Sequence, residues 1–276
     1  MFNLEDQSKP EAAIEREKFE KIILLIRHPS TQIEVLASQG DNDTPWDSLE
    51  DRVRIEKGKG HDMTRLLAQH LVAEIPEIVR TSKGNRDYKI VSGPLPRTKV
   101  MARYDLSFLR EAHKHDPNIP LPVETGVEVI DNFTEIPMTY TKGQILELVE
   151  KTRKEGKPLM SVMEEWFKSD PIFIASVFEK ERQRVTEGLK KIVSDPTPIT
   201  LIHTHRLVTG FILWLIANKK FDEPITPNDL PGIMEIARKL PYTSESELGW
   251  NSKEGWNILR KGDTTHLDEG LIGGTF

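Results

Sequence analysis

Four short stretches of this chain place residues that can handle an anion directly after an apolar run. Lys21–Arg27 (KIILLIR) ends in Arg27-His28 and continues into Pro29-Ser30-Thr31. The run 89–91 leads through Ser92-Gly93-Pro94-Leu95-Pro96 to Arg97. After 123–130 comes Asn132-Phe133-Thr134-Glu135-Ile136, and 198–203 (PITLIH) runs on into Thr204-His205-Arg206. A guanidinium fork binds phosphoryl oxygens bidentately and stays charged at any working pH. A neutral imidazole can attack phosphorus, and a carboxylic acid can protonate the departing oxygen. Two arginines, at least two imidazoles and a carboxylate therefore suit phosphate chemistry, and no step calls for a metal or cofactor.

These residues act together only if the four runs lie side by side. Each run has the character of a buried parallel strand. Between them, Met63, Leu66, Leu67, Leu71, Ile75 and Ile78 recur at three- and four-residue steps, the period of a helix with one buried face. Further helices are predicted at about 97–110, 142–155, 159–168 and 207–217. Another starts at Pro171, with Asp170 as N-cap, and stops before Pro196. Segments 243–249 and 256–261 read as two more short strands. Strands alternating with helices predict a three-layer α/β/α sandwich with a mainly parallel sheet. A helical cap insertion is expected at about 140–195 within a single domain over 21–276, preceded by an N-terminal arm at 1–20. Open parallel sheets bind ligands at the carboxyl ends of their strands, where all four stretches fall.

Composition narrows the function classes. The 276 residues carry 38 Lys and Arg against 44 Asp and Glu, a formal charge of −6. With no long basic run, a general nucleic-acid or anionic-membrane surface is excluded, and the expected partner is a small phosphorylated substrate. Cysteine is absent, which removes disulfides, thiolate metal sites and cysteine nucleophiles. The charged N-terminus lacks the apolar core of a signal peptide. The apolar runs 22–26 and 211–217 fall far short of the roughly 20 residues a membrane span needs. A soluble, cytoplasmic protein is expected, and no feature of the sequence reports its oligomeric state.

The four stretches also resemble the signatures of the histidine phosphatase superfamily, the phosphoglycerate-mutase-like proteins. LLIRHPST resembles the opening RHG-x-T motif, and VSGPLPRTKVMA resembles SSPL-x-RA-x-x-TA, with Arg97 on its arginine. NFTEI is similar to the L-x-E-I element that carries the acid in the phosphatase branch. LIHTHRLVTGFILWLI resembles the V-V-S-H-G-G strand and helix, which puts His205 on the second histidine. FEKERQRVTEGLKKI is like the cap helix, and TSESELGW with GWNILRKGDTTHL like the closing strands, so the likeness spans about 21–267. It implies a metal-independent phosphatase in which His28 becomes a phosphohistidine. Arg27, Arg97 and His205 would hold the phosphoryl oxygens, Glu135 would serve as general acid, and Thr31 would contact substrate; Arg206, outside the family pattern, is a further candidate contact.

Four positions depart from the family pattern. Pro29 stands in place of glycine and removes a backbone N–H. Glu34 stands where many members have asparagine. Arg206 and Leu207 replace the two glycines after the second histidine, and Arg206 either enters the pocket or turns outward to a surface carboxylate. Other functions are phosphoglycerate-mutase-type transfer, a non-catalytic phosphate-binding or scaffold protein, and a metallohydrolase built on His203-x-His205. Thr31 and the absence of asparagine at position 34 favour the phosphatase. His203 is assigned to the core, whereas His61, His70, His113, His115 and His266 show no partner in the sequence and read as structural or solvated.

Overall fold

The computed structural model describes residues 16–29, 55, 57–82, 87–137, 141–155, 160–268 and 271. Its strands are β1 (Lys21–Arg27), β2 (Tyr88–Ser92), β3 (Glu128–Val129), β4 (Ile199–Thr204), β5 (Glu245–Asn251) and β6 (Gly255–Asp263). They form one six-stranded sheet in the order β3-β2-β4-β1-β5-β6. The first four strands run parallel, β5 pairs antiparallel with β1, and β6 antiparallel with β5.

The alternation of side chains along a strand explains why Ile22–Ile26 of KIILLIR is apolar without a break. Ile22, Leu24 and Ile26 join Ile90 and Leu201 against α1 (Lys59–Thr81) and α2 (Pro96–His115). Ile23 and Leu25 join Val91 and Ile202 on the opposite face. There they meet α5 (Pro171–Ser194), α6 (Arg206–Asn218) and α7 (Leu230–Arg238). The helices α3 (Lys142–Lys154) and α4 (Met160–Ser169) precede α5, and α4 sets Trp166 and Phe167 against Phe178 of α5. The three-layer α/β/α arrangement with a mainly parallel sheet is therefore the one expected. Among the described residues no helix is long and apolar enough to cross a membrane.

Four details differ from the expectation. The third strand shrinks from 123–130 to Glu128–Val129, because the chain bends over 123–126. Only the Val123 N–H there reaches the neighbouring strand, donating to Tyr88 O at 2.9 Å. The first helix starts at Lys59, earlier than the apolar period suggests. Helix α7 is an addition to the expected elements: it opens on Leu230-Pro231-Gly232, after a reciprocal Thr226–Asp229 cap, and loop-like residues hide its onset. It packs so closely on α6 that a Cβ at Gly210 would lie 2.7 Å from Ala237 Cα. Finally, described residues before Lys21 also pack against the sheet. Phe19 is buried against Gly249, and Arg16 donates to Glu247 at 2.5 and 2.8 Å.

Candidate active site

At the carboxyl end of the sheet, β1 and β4 are tied together where their polar residues begin. The His28 N–H donates to Thr204 O at 3.1 Å, and the Arg27 N–H to Ser244 O at 3.1 Å. Arg27 is buried; its Nη1 donates to Leu240 O at 2.6 Å, and its guanidinium carbon sits 3.7 Å from the centre of the Tyr242 ring. His28 Nδ1 lies 2.8 Å from Pro29 O. A carbonyl only accepts, so Nδ1 carries the hydrogen and Nε2 keeps its lone pair. Proline costs position 29 an N–H but retains the carbonyl that sets this tautomer.

His205 caps α6 directly after β4, and its ring centre lies 5.2 Å from that of His28 at an interplanar angle of 61°. Its Nδ1 is 3.4 Å from Glu135 Oε2. Arg97 follows Pro96 at the start of α2 and brings Nη2 to 3.8 Å from the same carboxylate oxygen. Thus the first turn of a helix presents a cation, and the N-terminus of a second helix faces the same space.

Glu135 is positioned by its loop. Phe133 is fully buried, its carbonyl accepts from Thr204 Oγ1 at 2.9 Å, and Arg184 of α5 donates to Asn132 O at 2.9 Å and Thr134 O at 3.0 Å. The loop passes so near β2 that a Cβ on Gly93 would meet Phe133 O at 2.5 Å. Only glycine permits that approach, which gives the Ser92-Gly93-Pro94 turn a structural reason.

Arg206 opens α6, is buried, and holds its guanidinium carbon 5.5 Å from the Tyr242 ring centre. It faces inward, so the outward orientation does not occur. Arg27, His28, Arg97, Glu135, His205 and Arg206 therefore converge, while Thr31, Glu34 and the rest of 30–54 lie outside the described residues. His203 is fully buried, with Nε2 3.5 Å from Asp105 Oδ2 of α2, as its core assignment requires. Among the described residues it joins no group of possible metal ligands.

Burial is the largest influence on both imidazoles and holds them well below the usual histidine range, with Arg97 and Arg27 adding repulsion. Both rings are neutral at pH 7. Burial and the adjacent Arg206 likewise weaken the hold of Arg27 on its proton. A guanidinium stays protonated nonetheless, and two such buried charges side by side favour an anion between them. One ligand atom from each of His28, Glu135 and His205 lies within 4.8 Å of the others, a spacing a metal ion could bridge. Three guanidiniums around that point oppose a cation there.

Two contributors escaped sequence reasoning. Tyr242, the platform under Arg27 and Arg206, follows Pro241 and belongs to no motif. Arg184 could have been found only as one of several charges on a cap-like helix.

The sequence matches no described protein family and no curated protein. Solved structures do match. A chain of Escherichia coli assigned as an alpha-ribazole-5'-P phosphatase has a TM-score of 0.51 at 15% identity, over 88% of this chain and 97% of that one. A mutant phosphoserine phosphatase from Entamoeba histolytica, in complex with phosphoserine, gives a TM-score of 0.46 at 14% identity, over 90% and 100%. The alpha-ribazole phosphatase from Shigella flexneri gives 0.47 at 16%, over 88% and 96%. Sheet order and helix layers agree with the expected sandwich, and the first of these likenesses shows that this chain shares the fold of that Escherichia coli chain.

Proposed function

We propose that this chain is a phosphatase that hydrolyses phosphomonoesters through a phosphohistidine on His28. The observation that carries this reading is the Nδ1 contact to Pro29 O, which turns a lone pair on Nε2 into a pocket ringed by Arg27, Arg97 and Arg206. The resemblance to an Escherichia coli chain assigned as a phosphatase supports it through the fold.

In the first step Nε2 of His28 attacks phosphorus, the bond from phosphorus to the ester oxygen breaks, and Glu135 gives its proton to that oxygen. A phosphoryl dianion in the pocket favours the protonated form of the neighbouring Glu135, as the acid role needs. Arg27, Arg97 and His205 hold the equatorial oxygens, and the guanidiniums offset charge that develops there. In the second step water attacks the phosphorus, the P–N bond breaks, and the Glu135 carboxylate takes the water's proton. Phosphate leaves and His28 returns to its starting tautomer.

Arg206 narrows the substrate class. A third buried guanidinium beside Arg27 suits an ester bearing a second anionic group, such as a bisphosphate or a phosphorylated acid. Turnover of an aryl phosphate by the purified chain, with inhibition by vanadate, tests the function. Phosphate binding without turnover would instead make this a non-catalytic member of the fold.

A further inference from the structure

A second group of buried titratable side chains lies away from the phosphate pocket, between α1 and the end of β5. His70 and Glu74 stand one turn apart on α1, Glu245 opens β5, and His266 arrives on the turn after β6. His70 Nε2 is 3.2 Å from Glu74 Oε2 and 3.2 Å from Glu245 Oε1. His266 Nδ1 is 4.0 Å from Glu245 Oε1, and one ligand atom from each of His70, Glu245 and His266 lies within 4.8 Å of the others. Glu245 is fully buried, yet neither of its carboxylate oxygens has a hydrogen-bond partner of good geometry. The same holds for His70 Nε2, Glu74 Oε2 and His266 Nδ1.

The tautomer of His266 sharpens the problem. Thr243 Oγ1 donates its hydrogen to Tyr242 O at 2.8 Å, so toward His266 Nε2, 3.3 Å away, it can only accept. Nε2 therefore carries the ring hydrogen, and Nδ1 turns a lone pair toward the Glu245 carboxylate. Two sets of lone pairs facing each other in a buried space repel unless a cation lies between them. Charge points the same way. Among the described residues, the carboxylates Glu74, Glu245, Glu247 and Asp263 outnumber the guanidiniums Arg16 and Arg260 that pair with them, so the cluster calls for a further cation, a metal ion or a proton on His70.

We propose that His70, Glu245 and His266 bind one divalent transition-metal cation of the zinc type, with Glu74 beside His70 Nε2 placed to close the shell, a structural site that fastens α1, β5 and the turn after β6. Ligand atoms about 2.0–2.2 Å from a tetrahedral zinc stand about 3.3–3.6 Å apart, close to the two 3.2 Å separations seen. Two imidazoles with two carboxylates suit zinc better than the all-oxygen shells of magnesium or calcium. Thr243 holds the outer nitrogen of His266, as partners behind metal-bound histidines commonly do. Asp263 Oδ1 accepts from the Thr265 N–H at 2.8 Å and shapes the turn that carries His266. His70 is partly exposed, which gives an ion a way in. The site also braces the phosphate pocket, since Thr243 adjoins Tyr242 and is held at a left-handed φ of 53°. It takes no part in the phosphoryl chemistry and stands or falls independently of it.

Cobalt titration of the full chain, stripped of metal by chelator and dialysed, tests this. One equivalent should give the intense visible absorption of a four-coordinate nitrogen and oxygen site. Zinc should displace it and raise the Tm, and at a free zinc concentration 100 times its Kd the folded-to-unfolded ratio rises about 100-fold. His70→Gln and His266→Gln should each weaken cobalt binding by about 100-fold or more. The spectrum of the unsubstituted chain decides the matter even if a variant fails to fold. No visible absorption and no zinc-dependent Tm would overturn the site and leave a proton on His70 as the balancing charge. Absorption that survives His266→Gln but is lost in His205→Gln would overturn it too, by placing the ion in the phosphate pocket.

Discussion

Replacing Arg206 by glycine, the residue the superfamily pattern carries there, isolates what this chain has added to the pocket. The guanidinium is buried at the first position of α6, with its central carbon 5.5 Å from the Tyr242 ring centre, while Arg27 lies 3.7 Å from the same ring. Two buried cations over one aromatic ring repel each other, and Arg206 is among the causes that weaken the hold of Arg27 on its proton. In the free protein, Arg206→Gly relieves that repulsion and costs at most about 1 kcal/mol of helix propensity, so the Tm should change little. With a doubly anionic substrate the balance reverses. A unit charge about 4 Å from the guanidinium gains about 4 kcal/mol at an effective dielectric of about 20. Desolvation returns part of that, and hydrogen bonds to charged groups net about 1.5–3 kcal/mol. Steady-state assays should therefore show kcat/KM falling about 10–150-fold for a bisphosphate or phosphorylated acid. An aryl phosphate monoester should change little or improve. Equal losses on both substrates would refute a second-anion role and return Arg206 to the phosphoryl group itself.

Two further outcomes follow from the same geometry. Glu135→Gln should slow esters with poor leaving groups by about 10²–10⁴-fold while sparing activated aryl phosphates, which need little protonation; equal losses in a leaving-group series would remove Glu135 from the acid role. Burial depresses both His28 and His205 in the folded state, so below about pH 6.5 the unfolded chain binds protons that the folded chain refuses. Stability contributed by the neutral rings is thus present above about pH 6.5 and lost as pH falls toward the folded values. Chemical denaturation should show His205→Gln flattening the acid limb, and an unchanged limb would mean that His205 is already protonated in the folded chain.

How much of this was legible in the sequence depended on whether a residue's role was local. β1 could be read to the residue because a strand buried on both faces must be apolar along its middle, and Ile22–Ile26 between Lys21 and Arg27 is. Arg27, His28, Arg97 and His205 each follow such a strand, so their convergence followed from a parallel sheet. Glu135 was legible only through its resemblance to a family element, since what positions it is Arg184 on a distant helix and a glycine that lets backbone approach backbone. Tyr242 was not legible: an aromatic before a strand has the same pattern whether it packs in the core or carries two guanidiniums. His70 and His266 read as structural or solvated because their partners lie on elements far apart in the chain, α1 at one end and β5 with its following turn at the other. Helix α7 is hard to see because proline and glycine at its start imitate a loop, and the third strand is overextended because 123–130 looks uniformly strand-like while 123–126 bends.

Phosphoenzyme trapping tests the central claim most directly. The chain is mixed briefly with labelled phosphomonoester, quenched, and examined for protein-bound label in acid and in base. A phosphohistidine should be acid-labile and base-stable, and peptide mapping should place it on His28 in the parent chain. His28→Ala should fold and carry no label. Label that survives His28→Ala, or that resists acid as a phosphoserine or phosphothreonine does, would contradict nucleophilic attack by His28 Nε2.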